Sequence, residues 1–204
     1  MTPRHSIAVT SQPTSEPVTL AELKGHCRVE HDSDNALLVE WGKAARSMIE
    51  EATGRKLLTQ TVRVQLGDFP ANGEPIRLPV WPVQAVTGVT YRRASDGAET
   101  ALAGTQAWLD HDPPLLAPPV ADSSWPFVDS RYLNAVTVTL VAGGTSAASV
   151  PSTAKQAILL AVGYWNGFRG DGRDPAEAES IPGEAGLPAG CVRLLDLLTQ
   201  KRYG

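Results

Sequence analysis

The residues in this chain that could do chemistry are few, and their spacing does not bring them together. His26, Cys27 and His31 stand close in sequence, with Asp32 and Asp34 beside them. These are metal-ligand types, but a metal site needs donors converging at about 2.0–2.3 Å. His26 and His31 are separated by five positions across a helix end, which does not place them on one face, and no second paired cluster supports them. The segment reads as a solvated turn. His111-Asp112 has the form of tandem hydrolase metal ligands, yet four histidines in the whole chain are too few for a multi-ligand hydrolase centre. Neither a G-x-S-x-G elbow nor a P-loop occurs. Cys191 opens an apolar helix and reads as a small buried hydrophobe. Arg169-Gly170-Asp171 matches an adhesion tripeptide but sits in a Gly-rich stretch, as loop chemistry. The expectation is a protein that is not an enzyme, with no catalytic residue, metal or cofactor.

The composition narrows the class further. Of 204 residues, 42% are hydrophobic and only 20% charged, enough apolar material for a real core. The net charge of −4 argues against a surface built to grip phosphates, though an acidic wall could let DNA slide past. No apolar run approaches the about 18 residues of a spanning helix, and MTPRHSIAVTSQP has no secretory apolar region. Two cysteines far apart in sequence are not a disulfide framework, so a reducing compartment is expected. Glycine and proline cluster in 67–82, 113–126, 143–151 and 167–190, so ordered elements alternate with long punctuated loops.

Residues 1–17 read as a flexible arm. Thr19-Leu20-Ala21-Glu22 fits a capping box opening a helix over 20–28, with Val18 and Leu23 placed for a hydrophobic staple. Asp32-Ser33-Asp34 offers the next N-cap, and the helix runs to Thr53 with Gly54 beyond its end. Leu37, Leu38, Trp41, Ala45, Met48, Ile49 and Ala52 form its apolar face, and Glu40, Lys43, Arg46, Glu50 and Glu51 fall mostly on the other. The period then becomes two. Strands are expected over 61–66, 75–79, 83–91, 98–102, 107–110 and 134–141, with Asp96-Gly97 as a hairpin turn and 111–130 as a loop. Helical period returns after Pro151, ending at Asn166-Gly167, and a last helix spans 189–200. The fold class expected is α+β. N- and C-terminal helices (18–58 and 150–204) pack as a bundle, with an antiparallel β region (59–149) inserted, as one compact unit.

Trp41 and Trp165 lie on helical apolar stripes and read as core. Trp81 and Trp125 each precede a proline in a loop, which makes them candidate protein-contact anchors. Packing beneath a loop is the competing reading.

The segment from Pro17 to Val64 carries a resemblance. Pro17-Val18-Thr19-Leu20-Ala21-Glu22, the helix ending at Arg28-Val29, the acidic turn Asp32-Ser33-Asp34, then Ala44-Ala45-Arg46 and the exit Thr53-Gly54-Arg55 follow in order. Further matches are Leu78-Pro79, Pro82-Val83 and Val86-Thr87-Gly88-Val89-Thr90-Tyr91, then Val150-Pro151 opening a helix to Tyr164-Trp165, and Leu194-Leu195 with Arg202. In this order and spacing the chain resembles the head-to-tail connector (adaptor, head-completion) proteins of tailed phages, parts also used by gene transfer agents. Loops 103–133 and 167–188 lie outside the likeness.

The resemblance implies a structural virion protein at the head-tail interface, assembled in the host cytoplasm. It implies a twelve-fold ring of this chain beneath the portal protein, extending the DNA channel and presenting a surface to a tail-side completion or stopper protein. DNA would pass through without sequence-specific binding, and no membrane is involved. Within that frame the terminal helix and basic tail are expected to dock on the portal. Arg193, Lys201 and Arg202 would meet acidic groups, Leu194, Leu197 and Leu198 would fill an apolar groove, and Tyr203 lies in the same tail. A core role for this helix competes, since five apolar residues also suit burial. Asp171, Asp174, Glu177, Glu179 and Glu184 form an acidic loop expected to face the channel or the tail protein, or simply solvent. The competing function is a DNA-binding packaging factor of the terminase small-subunit type. It would need a basic recognition helix, whereas 34–53 holds more acids than bases.

Overall fold

A computed structural model describes residues 5–119, 124–129, 131–167 and 188–199. The chain divides into two compact units. One takes Met1–Pro13 with Thr59–Gly143, the other Thr14–Leu58 with Gly144–Gly204. Among the described residues there are four α-helices and two antiparallel sheets, an α+β protein.

The helical unit begins at α1 (Leu20–Cys27). Its capping box is complete. The Thr19 backbone N–H donates to Glu22 Oε2 at 2.7 Å, and the Glu22 N–H donates to Thr19 Oγ1 at 3.2 Å. Two of the helix's unpaired amides are thereby satisfied. Helix α2 (Asn35–Thr53) follows and ends at Gly54, whose φ of 68° is the left-handed conformation that favours glycine. Its start departs from expectation. Asp34 holds the N-cap position, but its side chain makes no capping hydrogen bond to the helix. Asp32 instead accepts from Lys24 Nζ at 2.7 Å and from Asn35 Nδ2 at 3.1 Å, so its carboxylate ties the turn together. Helices α3 (Ser152–Gly167) and α4 (Ala189–Leu198) complete the unit. All four helices contribute to one core, with Leu23, Leu38, Ala45, Ile49, Ala157, Ile158, Ala161 and Cys191 at its centre.

The β unit holds a five-stranded sheet ordered β1-β2-β8-β4-β5, from β1 (His5–Ser11), β2 (Gln60–Leu66), β4 (Val83–Arg92), β5 (Glu99–Ala101) and β8 (Val136–Ala142). A three-stranded sheet orders β3 (Ile76–Arg77), β7 (Leu115–Ala117) and β6 (Gln106–Trp108) as β3-β7-β6. The alternation in β2 and β8 sets the faces. Val62, Val64 and Leu66 with Val136, Val138 and Leu140 point into a core shared with Ile76, Leu78, Val80 and Leu116. Thr61, Arg63, Gln65, Thr137 and Thr139 alternate with them along the same strands and are less buried. The β4–β5 turn is the expected one: Gly97 has φ 70°, and Asp96 Oδ1 accepts from the Ala98 amide at 3.0 Å.

Two strands depart from the sequence reading. Residues 5–11, expected within a flexible arm, form β1 and pair with β2 from His5↔Leu66 to Ser11↔Thr61. Ile7 and Val9 supply a weak alternation that the polar neighbours hide, and an edge strand needs little more because β2 offers the ladder. Strand β7 lies inside the expected loop 111–130. Its three residues, held between Pro114 and Pro118, are too short to show a period, yet Leu116 is fully buried.

Candidate functional site

The terminal helix α4 sorts its residues by face. Cys191, Leu195 and Leu198 are buried in the helical core, and the Cys191 thiol donates to the Ala157 carbonyl at 3.2 Å. Burial pushes that thiol up to about 11. Arg193 is exposed, Leu197 is 73% exposed, and Leu194 packs partly on the core. Leu198 therefore fills this chain's own core and is not free to fill a partner's groove. Lys201, Arg202 and Tyr203 lie outside the described residues, as do Asp171, Asp174, Glu177, Glu179 and Glu184 of the acidic loop.

The two loop tryptophans are also placed. Trp125 is buried at 8% exposure. It stacks on Phe69 with ring centroids 4.7 Å apart and planes 3° from parallel, and its indole N–H donates to the Glu74 carbonyl at 2.8 Å. It is a core ring beneath a loop, not an exposed anchor, because both its apolar face and its polar edge are used within the β unit. Trp81 is half-buried.

A network absent from the sequence reading lies in the helical unit. Arg46 and Glu50, assigned to the polar face of α2, are 5% and 3% exposed. Arg46 Nε donates to Glu16 Oε2 at 2.8 Å. Glu50 Oε1 accepts the Leu57 amide at 2.9 Å, while its Oε2 stands 3.4 Å from Arg46 Nη1 and 3.6 Å from Lys56 Nζ. The four-residue spacing of Arg46 and Glu50 was the available signal, but such pairs are usually solvated. Their partners outside α2 include Glu16, ahead of α1, and Lys56 and Leu57, just after α2.

The metal candidates do not assemble. His31 Nδ1 is 2.7 Å from Ser33 Oγ and Asp32 is engaged as above, and among the described residues no three His, Cys, Asp or Glu side chains converge. Sequence reasoning also passed over Phe127 and Leu133, which are 89% and 90% exposed. They lie in and after a proline-rich loop without period, where nothing marks which face a side chain takes.

Comparison with known proteins bears on both units. Residues 17–102, less than half of the chain, match the family of phage gp6-like head-tail connector proteins. No curated protein matches. Solved structures match nearly end to end. A chain in the neck of an empty GTA particle, computed with C6 symmetry, aligns at a TM-score of 0.74 and 22% identity, covering 98% of this chain and 97% of that one. A chain of the virion of a native gene transfer agent (GTA) particle aligns at 0.72 and 22%, covering 97% of both. A third, in the neck of a native GTA particle computed with C12 symmetry, aligns at 0.68 and 23%, covering 98% and 97%. At these identities the likeness establishes the fold, and over 17–102 the chain is similar to the phage gp6-like head-tail connector family.

Proposed function

We propose that this protein is a structural connector of a phage-like or gene-transfer-agent particle. It is located in the virion at the head-tail interface. The observation that carries this is the connector-family match over 17–102, a segment that includes the capping box, α1, α2 and the first core strands. In this reading the N- and C-terminal helices act as one bundle, and copies of the chain close into a twelve-membered ring beneath the portal protein. The ring extends the DNA channel and offers its far side to a tail-side completion protein. The chain performs no catalysis and holds no cofactor. Symmetric necks computed for proteins of this fold support the ring. A ring requires each copy to meet its neighbours through two different patches.

Arg193, Leu194 and Leu197, with the tail residues Lys201, Arg202 and Tyr203, are the portal-facing set in this proposal. Leu198 is assigned to the core. Asp171, Asp174, Glu177, Glu179 and Glu184 would face the channel or the tail protein, repelling phosphates as DNA passes. The test is mass by light scattering after gel filtration, first alone and then with the cognate portal. Entry of the chain into the portal peak at ring stoichiometry supports the reading. Failure to associate with portal, both free and in DNA-filled heads, rejects it.

A further inference from the structure

Beyond the portal-facing helix, the five-stranded sheet ends in two unlike edges, β1 and β5. Strand β5 is guarded in the ways edge strands usually are. It has three residues, and its Glu99 carboxylate lies 3.4 Å from Arg92 Nη2. Strand β1 is bare. Its seven residues, His5–Ser11, include no proline, lysine, arginine or carboxylate. The register shift between Val9 and Ser11 falls at its far end, so His5–Val9 pairs with β2 without a break. A strand paired on one side aims alternate N–H and C=O groups away from its neighbour. In β1 these groups meet nothing. Among the described residues its hydrogen bonds all go to β2, including that of the Thr10 hydroxyl, which donates to the Thr61 carbonyl at 3.2 Å. The side chains follow the same pattern. Ile7 stands opposite Val64 and Val9 opposite Val62. Directly opposed residues share a face, so this row of β-branched side chains carries the core face outward. Val62 and Val64 are fully buried, whereas Ile7 is 44% exposed. The row therefore runs one strand past the core that covers it.

We propose that β1 is a docking edge for an extended segment of another protein of the particle, which adds beside it as a further strand of the sheet. Main-chain bonds to the unpaired groups hold that segment, and its uncharged β-branched or aliphatic side chains, set opposite Ile7 and Val9, cover the row. The inference rests on the connector reading above. What the edge lacks defines its occupant: a ladder of backbone donors and acceptors is matched by extended polypeptide. A second copy has no such segment to give. Among the described residues, the strands at its other sheet edges are β3, β5 and β6, with two, three and three residues. Pairing β1 with the β1 of a second copy uses the same edge twice. That is a two-fold contact, and a head-to-tail ring has none between neighbours.

The experiment follows backbone hydrogen exchange in the peptide holding His5–Ser11, in the free full chain and in assembled particles. In the free chain the outward amides are expected to exchange fast and those bonded to β2 slowly. In the particle the outward amides are expected to slow by at least about tenfold. A photo-crosslinking phenylalanine analogue in place of His5 is expected to capture, in particles, a protein other than this chain, identified by its peptides. Ile7→Lys sets a charge on the row. It is expected to move the free chain's melting temperature by no more than about 2 °C and to abolish the slowing, whereas Ile7→Val is expected to keep it. Unchanged exchange of the segment on assembly overturns the proposal. So does crosslinking to a second copy alone, or slowing that survives Ile7→Lys. In each of these cases the chain still enters particles, and the connector reading stands. If the unmodified chain never enters particles, the connector reading fails and this proposal with it.

Discussion

At the residue scale, buried charge is the feature with the largest stake. Glu50 is 3% exposed, faces Arg46 and Lys56, and also caps the Leu57 amide. Removing it strands two partly desolvated cations and a buried amide. Breaking a buried pair costs about 3–5 kcal/mol, and because Arg46 keeps Glu16, Glu50→Ala is expected near the lower end, read by denaturant unfolding. No loss would show that water reaches the site. The two cysteines separate by chemistry. Cys191 is fully buried, donates to a carbonyl and has its pKa raised to about 11, while Cys27 is only partly buried and raised by the same desolvation. One thiol per chain should react with a mild disulfide reagent in the native protein, and both after unfolding; equal native reactivity would place Cys191 outside the core. Glu22 gives the pH dependence. Hydrogen bonds from the Thr19 amide and hydroxyl lower its pKa. A depressed carboxylate contributes stability above its unfolded pKa and loses it as pH falls through the folded one. Glu22→Ala should therefore destabilise by about 0.5–1 kcal/mol near pH 7, and the gap should close on acidification. A gap independent of pH would mean that the carboxylate's charge is irrelevant to the cap.

At the element scale, α4 shows what a helix can and cannot reveal from its sequence. Its hydrophobic spacing announced an amphipathic helix, but the inner face had to be found: Cys191, Leu195 and Leu198 belong to the core and Leu197 to the surface. Deleting 190–204 would therefore strip the core and could not isolate docking. Point variants can. Leu195→Ala should cost about 2–4 kcal/mol with an unfolding readout, whereas Leu197→Ser should leave stability within about 0.5 kcal/mol and weaken portal binding. Unchanged portal binding by Leu197→Ser would remove the outer face of α4 from the interface. Elsewhere, legibility followed the length of the pattern. The capping box, the nineteen residues of α2 and its Gly54 exit are readable because local hydrogen bonding dictates them. Strands β1 and β7 were hidden, because an exposed edge and a three-residue central strand owe their structure to the strands beside them. The burial of Arg46, Glu50 and Trp125 was hidden likewise, since it depends on tertiary contacts such as Arg46 with Glu16 and Trp125 with Phe69 and Glu74.

At the scale of the whole molecule, the balance of charge bears on whether the protein would grip DNA. The chain carries 22 acidic and 18 basic side chains. Many of the basic ones already face carboxylates: Lys24 to Asp32, Lys43 to Glu40, Arg46 to Glu16 and Glu50, Lys56 to Glu50, Arg92 to Glu99, Arg93 to Asp96 and Arg131 to Asp129. A cation paired within its own chain gains less by displacing counterions from a phosphate, which weakens these seven as phosphate contacts. Helix α2, where a packaging factor would carry its recognition surface, offers Lys43 and Arg46; the first is paired at 2.7 Å and the second is buried. A connector through which DNA must move benefits from this weakness, because each phosphate contact repeated around a ring would retard passage. The free chain should therefore pass a duplex-DNA column at about 0.15 M salt, and any retention at lower salt should have a shallow slope, corresponding to roughly one or two phosphates. Retention with the steep dependence of about six or more neutralised phosphates would instead reveal a basic surface on the chain and would return the packaging-factor reading to first place.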